Sequence, residues 1–447
     1  MNRLKRFGSN LRTSFWFMPT LIVAFSVVLA VALIEADYSA SQQWIARWPH
    51  LFGANAAGAR GILTTIAGSM MAVVGVTFSM TLVTLALASN QYTSRILRNF
   101  MRDRVTQVVL GIFAGIFTYC LIVLRTIRDG DAGAFVPSLA VTLGVLLAIG
   151  GIAALIYLIH HIASSIQASS IIASVADETM EAIERLFPGA LGQQPVDDDE
   201  DQARLPFPQP HWQAVPAREN GYIQSVDNAT LLRLAREHKT VVRMERGIGM
   251  FVVRDTPLAS LALRDPPGEE ISATLQGAYS VSRHRTMDQD AAFGIRQIVD
   301  MALRALSPSV NDTTTAVMCV DYLTAILARL ASRSIPSSHR YEDGELRVIT
   351  VGPTFAGLVA ESFDQIRGSA MGNVAVMLRM LGALQTIVSL TGSTSRRRVL
   401  VEAVESIAEL AARTIESPHD QARFQSRLAR VREAVGTAPA LAHSGEG

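Results

Sequence analysis

Four long apolar segments lie within the first 160 residues of the chain, and Asp, Glu, Lys and Arg are absent from all of them. A helix needs about 20 residues to cross the hydrocarbon core of a bilayer, and each segment reaches that length. Because that core contains no water, a spanning segment must satisfy its own backbone hydrogen bonds, as a helix does. The pattern therefore predicts four transmembrane helices, at about Phe15 to Ile34, Gly61 to Ala88, Val105 to Leu124 and Pro137 to Ile159.

The basic residues between these segments indicate an orientation. Short loops rich in Lys and Arg stay on the cytoplasmic side of the membrane. Four basic residues precede the first segment and four lie between the second and the third, whereas the other two loops hold two each, together with acidic residues. Both termini are therefore predicted to be cytoplasmic. A cleaved signal peptide is the alternative for the first segment, but its long apolar run and the lack of a small-x-small site after Ile34 favour a retained anchor.

Beyond the membrane segments the pattern predicts both helices and strands. The fourth apolar run continues without a formal charge to Ala176, which predicts a helix that extends into the cytoplasm. An acidic run followed by LPFPQP is typical of a linker. Strands are predicted in AVPARENGYIQSVD, on both sides of Gly247 to Gly249 as a joined pair, and in ELRVITV, with a short helix at LLRLAREH. The later helices should break at Gly392 and at Ser417 with Pro418.

These patterns predict a helical integral membrane protein with a cytoplasmic, mainly α, α+β C-terminal region. The predicted organisation is a four-helix transmembrane domain over 1–160, a helical extension over 161–187, a linker over 188–210, a small β-rich module over 211–268 and a mainly helical domain over 269–440.

Two stripes of small residues mark the second apolar segment. Residues seven apart drift only about 20° around a helix, so such residues share one face. One stripe is Gly61, Gly68, Gly75 and Ser79, and a roughly opposite stripe is Thr77, Thr81 and Thr84. Packing within the chain is one interpretation. The other is a helix that packs against copies of itself through glycine and lines a polar path with threonine.

The four segments contain no carboxylate and no Lys or Arg. Proton-coupled carriers usually place an ionisable side chain near the middle of the membrane. A passive pathway or a structural bundle therefore agrees better with this sequence than a pump.

The densest polar region of the C-terminal part runs from Arg283 to Asp312. Thr286 and Gln289 have the spacing of a capping box, which predicts a helix that runs to Leu306. Asn311 or Asp312 is predicted to cap the next helix.

Charged residues four apart along the first of these helices, Arg296, Asp300 and Arg304, have the spacing of an ion-pair ladder. Capping and ion pairs are one explanation of this region, and a ligand or subunit-contact site is the other. The candidate contact residues are Arg283, His284, Asp290, Gln297, Asp300, Arg304, Asn311 and Asp312.

Several function classes lack their sequence signals. Neither lysine follows a glycine in a Walker A loop, and both the zincin motif and the GxSxG elbow are absent.

His160 and His161 point about 100° apart on a helix, a poor geometry for chelating one metal ion. A net charge of +1 indicates no nucleic-acid partner, and two cysteines build no disulfide framework. We therefore expect no enzyme, no cofactor and no metal site.

Four stretches carry a resemblance to a known family: VVGVTFSMTLVTLALASNQYTSRILRNFMRDR, NGYIQSVD, GMFVVRDTPL and RTMDQDAAFGIRQIVDMALRALSPSVNDTTTAV. Through them most of the chain resembles the bacterial predicted membrane proteins of domain-of-unknown-function family 2254. In that family the stretch after ALSP more usually runs Gly-x-Asn-Asp-Pro, whereas Ser309 and Thr313 stand here in place of the Gly and the Pro. The resemblance implies an integral membrane protein with a cytoplasmic domain and supplies no catalytic residues.

The sequence leads to two hypotheses of function. The first is a homo-oligomeric, channel-like protein of the bacterial inner membrane, embedded in the lipid bilayer, with the second segment nearest the pore and a cytoplasmic domain that assembles or gates it. The alternative is a membrane-anchored sensor or scaffold whose cytoplasmic domain binds a ligand or a protein through the Arg283 to Asp312 region.

Overall fold

The computed structural model describes residues 16–39, 55–91, 103–128, 135–165, 167–187 and 211–437. The predicted linker over 188–210 and most of the basic residues that indicate the orientation lie outside these ranges. The chain divides into two compact units, Met1–Gln167 and Ala168–Gly447.

The described residues of the first unit form four helices, one for each predicted apolar segment. They are α1 (Phe17–Ser39), α2 (Ala56–Gln91), α3 (Arg104–Thr126) and α4 (Ser138–Ser165). Large apolar side chains cover the outside of these helices; Phe25, Val28 and Ile156 are each about two-thirds exposed. Such a surface is unfavourable in water and is typical of a protein that contacts lipid.

Glycines bring the helices of this unit close together. A Cβ atom at Gly111 or Gly115 of α3 would overlap Ile22 or Ser26 of α1, so this GxxxG pair serves contact within the chain. Leu63 of α2 likewise packs beside Gly144 of α4. The contact between Met70 and Gly151 repeats this seven residues further along both helices, so α2 and α4 run parallel to each other.

Polar contacts at both ends of the four helices establish their alternating directions. At one end, the Asp37 carboxylate near the end of α1 accepts hydrogen bonds from the backbone N–H groups of Leu139 and Ala140 at the start of α4, both at 3.0 Å. Arg60, near the start of α2, donates to the carbonyl of Ile127 after α3 at 3.1 Å. We call this the Asp37 end. At the opposite end, Nε2 of His161 lies 3.0 Å from Oδ2 of Asp103, the N-cap of α3. We call this the His161 end.

Five described helices are long and apolar enough to cross a membrane: Phe17–Ser39, Ala56–Ala86, Arg104–Thr126, Ser138–Ser164 and Thr313–Ala331. The last of them belongs to the second unit, where it contacts four other helices of that unit and buries Cys319, Leu323 and Leu327 completely.

The second unit combines two small sheets with a set of helices. Its elements are α5 (Ala168–Leu186), β1 (Trp212–Pro216), β2 (Gly221–Val226), α6 (Asn228–Glu237), β3 (Val242–Met244), β4 (Phe251–Val252), β5 (Pro257–Ala262), α7 (Glu269–Gly277), β6 (Tyr279–Ser282), α8 (Ala291–Ala305), α9 (Thr313–Ala331), β7 (His339–Glu342), β8 (Glu345–Ile349), α10 (Phe355–Ser369), α11 (Val374–Ser389), α12 (Thr394–Thr414) and α13 (Pro418–Thr437). The helix breaks at Gly392 and at Ser417 with Pro418 occur as predicted.

The strands form a five-stranded sheet in the order β1-β5-β3-β8-β7 and a three-stranded sheet in the order β4-β2-β6. Among the described strands, β3 and β8 are the one pair that runs parallel. The predicted strands on the two sides of Gly247 to Gly249 exist, but their prediction as a joined pair is wrong, because β3 and β4 belong to different sheets. The chain changes course between them at Gly249, whose φ of +80° is accessible mainly to glycine.

The helical core of the second unit is built around α8. It packs against α5, α9 and α10, while α9 also contacts α5 and α11. The closest of these contacts joins α8 to α5, where Gly294 lies directly against the fully buried Thr179. The helix predicted to continue from the fourth apolar segment is thus divided: α4 ends at Ser165, and α5 packs within the helical core.

Candidate functional site

The glycine stripe of α2 faces away from the other described helices of its unit. Within the described part of the chain, Cβ atoms built at Gly61, Gly68 and Gly75 would meet no atom within 4 Å, and Ser79 is exposed beside them. We call these four residues the α2 seam. The seam differs from Gly111, Gly115, Gly144 and Gly151, each of which is in close contact with a neighbouring helix. Small residues let membrane helices approach closely, yet no helix among the described residues lies on this surface.

The threonine stripe lies on the opposite, inward side of α2. Thr77 is only 2% exposed, and Thr81 and Thr84 are partly buried. The Thr81 hydroxyl donates to the carbonyl of Thr77 at 2.8 Å, the usual arrangement for threonine in a membrane helix. The Thr77 hydroxyl, in contrast, is buried and has no hydrogen-bond partner within the described residues.

Further polar side chains lie near this hydroxyl, towards the His161 end. Because Met70 packs beside Gly151, Thr77 is level with Leu158, one turn before His161. Thr106 and Gln107 in the first turn of α3 are also buried. Asp103 accepts a 2.6 Å hydrogen bond from the Thr106 hydroxyl as well as its contact with His161. The half of the bundle near the His161 end therefore contains buried polar side chains.

The predicted contact residues of the C-terminal region do not form one site. They extend along α8 and beyond both of its ends, and a helix of 15 residues spans about 22 Å. Arg283 and His284 are exposed in the loop before α8.

Asp290 is a buried helix cap. The predicted capping box is wrong, because α8 begins at Ala291 and the Asp290 carboxylate accepts from the N–H of Phe293 at 3.1 Å. Arg285 pairs with this carboxylate at 2.8 Å, and a Cβ at Gly249 would overlap both side chains. Burial raises the pKa of Asp290 above its ordinary value, although the Arg285 guanidinium acts in the opposite direction. These contacts of Asp290 and Arg285 join the start of α8 to the loop after β3.

The middle of α8 is also engaged in packing. Gln297 is 3% exposed, and Asp300 forms a 2.8 Å ion pair with Arg296, which also reaches Glu361 of α10 at 3.4 Å. Arg304 is exposed near the end of the helix. The middle of α8 is therefore packed inside the unit and does not form an open binding surface.

A cavity of about 470 Å³ lies beyond the end of α8. Asn311 lines it and has a φ of +47°, a conformation that Asn tolerates better than most residues. The neighbouring Asp312 is the N-cap of α9, as predicted: its Oδ1 accepts from the N–H of Thr315 at 3.0 Å. The hydrogen bonds from Thr315 lower the pKa of Asp312, so this carboxylate is ionised at neutral pH.

Most of the cavity lining was not predicted from the sequence. It comes from residues 369–374, between α10 and α11, and from Asp420 in α13. Asn373 caps α11 and donates to the Thr313 hydroxyl at 2.8 Å, which joins the starts of α11 and α9. The stretch GNVAVM carries a recognisable capping signal, but nothing in it indicates a partner sixty residues earlier.

Within the described residues, no group of three or more His, Cys, Asp or Glu side chains has a geometry suited to a metal ion.

Comparison with known proteins decides the family. The family model described as predicted membrane protein, DUF2254, matches residues 12–386, which cover most of the first unit and the second unit as far as α11. The chain belongs to this family. Membership in DUF2254 identifies it as a predicted membrane protein, in agreement with the apolar surface of the first unit.

Relatives of this DUF2254 chain occur in mycobacteria. It is 32% identical to uncharacterized protein Rv1290c of Mycobacterium tuberculosis and to uncharacterized protein Mb1321c of Mycobacterium bovis. In both comparisons the alignment covers 97% of this chain and 83% of the relative. No solved structure matches the chain.

Proposed function

We propose that the protein is a homo-oligomeric, channel-like protein of the bacterial inner membrane. In this proposal α1 to α4 cross the bilayer and α9 is a core helix of the cytoplasmic C-terminal unit. The alternating directions of the four helices support an even number of crossings with both termini on one side. The excess of Arg and Lys before α1 and between α2 and α3 supports the cytoplasm as that side.

The α2 seam is the observation that carries the proposal. Gly111, Gly115, Gly144 and Gly151 contact neighbouring helices, whereas the seam presents three glycines at heptad spacing to the outside. An exposed glycine in a helix interior lowers helix propensity by about 1 kcal/mol relative to Ala, so a seam of three needs a compensating contact. A second copy of α2 provides that contact, because glycine faces allow close approach of membrane helices.

The buried polar side chains near the His161 end supply the beginning of a pathway. The unpartnered Thr77 hydroxyl is costly in a dry environment and is satisfied if water or an ion enters from the His161 end. The threonines thus line the route inside each chain, while the glycines hold the copies together.

The C-terminal unit is connected to this route through α5. Only two residues separate α4 from α5, and α5 is fixed in the helical core by its contacts with α8 and α9. This continuity supports a role for the C-terminal unit in assembly or gating. We assign it no catalytic step.

The alternative of a sensor or scaffold keeps the membrane unit as an anchor. The cavity beside Asn311 favours it, because this cavity lies where the sequence predicts a contact region.

A leucine in the seam should dissociate the oligomer. Gly68→Leu places a branched side chain where two α2 helices meet. We expect this variant to have a monomeric mass in detergent. We also expect it to lose the efflux of K⁺ and Cl⁻ from liposomes, which ion-selective electrodes measure for each ion. Gly150→Leu is the matched control, since Gly150 lies in α4 with nothing within 4 Å of its Cβ position. A wild-type protein that is monomeric, or that passes neither ion, contradicts the proposal.

A further inference from the structure

The cavity at the end of α8 contains hydrogen-bonding groups that the protein does not use. Among the described residues, the exposed side chains of Asn311 and Ser369 and the partly buried side chain of Asp420 line the cavity without a hydrogen bond or an ion pair within the protein. The volume of about 470 Å³ lies within the range of small-molecule sites, roughly 300 to 1,000 Å³. A carboxylate, an amide and a hydroxyl that all lack partners are suited to a ligand that supplies hydrogen-bond donors.

The charge of the lining selects the class of ligand. Of the described residues that line the cavity, Asp420 alone carries a charge, and no Lys, Arg or His faces it. The C-terminal ends of α8 and α10 also reach the cavity at Leu306 and Ser369, and helix C-termini favour cations.

Helix N-termini also meet here and act in the opposite direction. The starts of α9, α11 and α13 favour anions, but each has a capping side chain that accepts one of its free N–H groups. These caps are Asp312, Asn373 and Ser417. The cap of α9 is the Asp312 carboxylate, so the positive end of that helix already has a negative charge beside it. The remaining excess of charge is negative.

The apolar part of the lining limits the shape of the ligand. Met371 is 66% exposed at the rim, and Leu306 and Val374 are partly buried beside it. Methionine adapts to irregular apolar groups, and an exposed one next to a cavity is available for contact. An alkyl chain of a few carbons fits against these three side chains.

We propose that this cavity binds a small primary amine, with the ammonium group at Asp420 and Asn311 and the alkyl chain against Met371 and Val374. An ammonium group offers three donors, which match the carboxylate, amide and hydroxyl acceptors. This inference goes beyond the proposed channel-like function and is independent of the α2 seam.

Three four-carbon probes that differ in their polar group test the proposal with the full-length protein in detergent. In calorimetric titrations n-butylamine should bind saturably, whereas 1-butanol and butyrate should bind at least about tenfold more weakly. Asp420→Asn should weaken n-butylamine binding by about tenfold. Glu416→Gln, which removes an exposed carboxylate outside the cavity, should leave it unchanged within a factor of about two.

A second variant keeps the test independent of Asp420. Met371→Arg places a cation at the rim from an exposed position and should abolish n-butylamine binding while the thermal midpoint stays within about 2 °C. Absence of saturable n-butylamine binding to the wild type, equal binding by Asp420→Asn, or stronger binding of butyrate would overturn the proposal.

Discussion

Replacing Arg396 by Met should destabilise the C-terminal unit by about 3 kcal/mol or more. The Arg396 guanidinium is buried and donates from Nη1 to three carbonyls at the end of α9: those of Leu330, Ala331 and Arg333, at 3.3, 3.1 and 2.9 Å. It also lies over the ring of Phe355, with its central carbon 5.2 Å from the ring centre. Met has a similar length but no donor, so it leaves these carbonyls buried and unpaired.

Thermal unfolding in detergent, followed by fluorescence, measures this effect. A loss of 3 kcal/mol corresponds to a fall in the midpoint of at least about 6 °C in a unit of this size. Arg398→Met is the matched control, because Arg398 is exposed two residues away in the same helix turn, and we expect it to shift the midpoint by less than about 2 °C. Equal shifts for the two variants would show that the carbonyl contacts of Arg396 contribute little.

Replacing Gly294 by Ala should cost about 2 to 3 kcal/mol, although alanine is the better helix former. The added methyl group would overlap the hydroxyl of Thr179, and the sulfur of Met287 lies 3.0 Å from the same position. Thr179 is fully buried and its hydroxyl donates to the carbonyl of Val175 at 2.6 Å, so it has little room to move. The two helices must therefore separate, and α5 loses its close contact with α8.

A double-mutant cycle identifies the cause of this loss. Thr179→Ala removes the hydroxyl nearest the new methyl group, so the double variant should recover about 1 kcal/mol of the loss relative to the sum of the single changes. Gly368→Ala is the control, since its Cβ would meet no atom within 4 Å, and it should be neutral or slightly stabilising. Strict additivity of Gly294→Ala and Thr179→Ala would contradict the packing explanation.

The predictions that succeeded from the sequence rest on local signals. Charge-free apolar runs set the positions of α1 to α4, and the capping signal at Asp312 set the start of α9, because both depend on neighbouring residues only. The start of α8 was misplaced for a tertiary reason. Gln289 resembles a capping-box residue, but its side-chain carbonyl accepts from the N–H of Val226 in β2 at 3.2 Å, so the helix begins later, at Ala291, with Asp290 as its cap.

Contacts between distant parts of the chain account for what the sequence did not predict. Arg396 is one of three consecutive arginines, and nothing in that run distinguishes the buried one from its exposed neighbour. The cavity lining likewise brings together residues near 311, 373 and 420, whose proximity depends on how α9, α11 and α13 pack. The sequence shows the α2 seam as glycines spaced seven residues apart, but only the structure distinguishes it from the glycines that pack within the chain.

The central claim is that the α2 seam is the surface through which copies of this chain meet. Cysteine cross-linking in native membranes tests it most directly. Gly68→Cys lies on the seam. Leu63 of α2 packs beside Gly144 of α4, and the two parallel helices bring the next residues of each level with one another. Ile149→Cys is therefore level with Gly68→Cys, on an exposed face of α4. Both native cysteines, Cys120 and Cys319, are buried and can remain in place. The account predicts an oxidised dimer for Gly68→Cys and none for Ile149→Cys; equal cross-linking of the two variants, or none for Gly68→Cys, would contradict it.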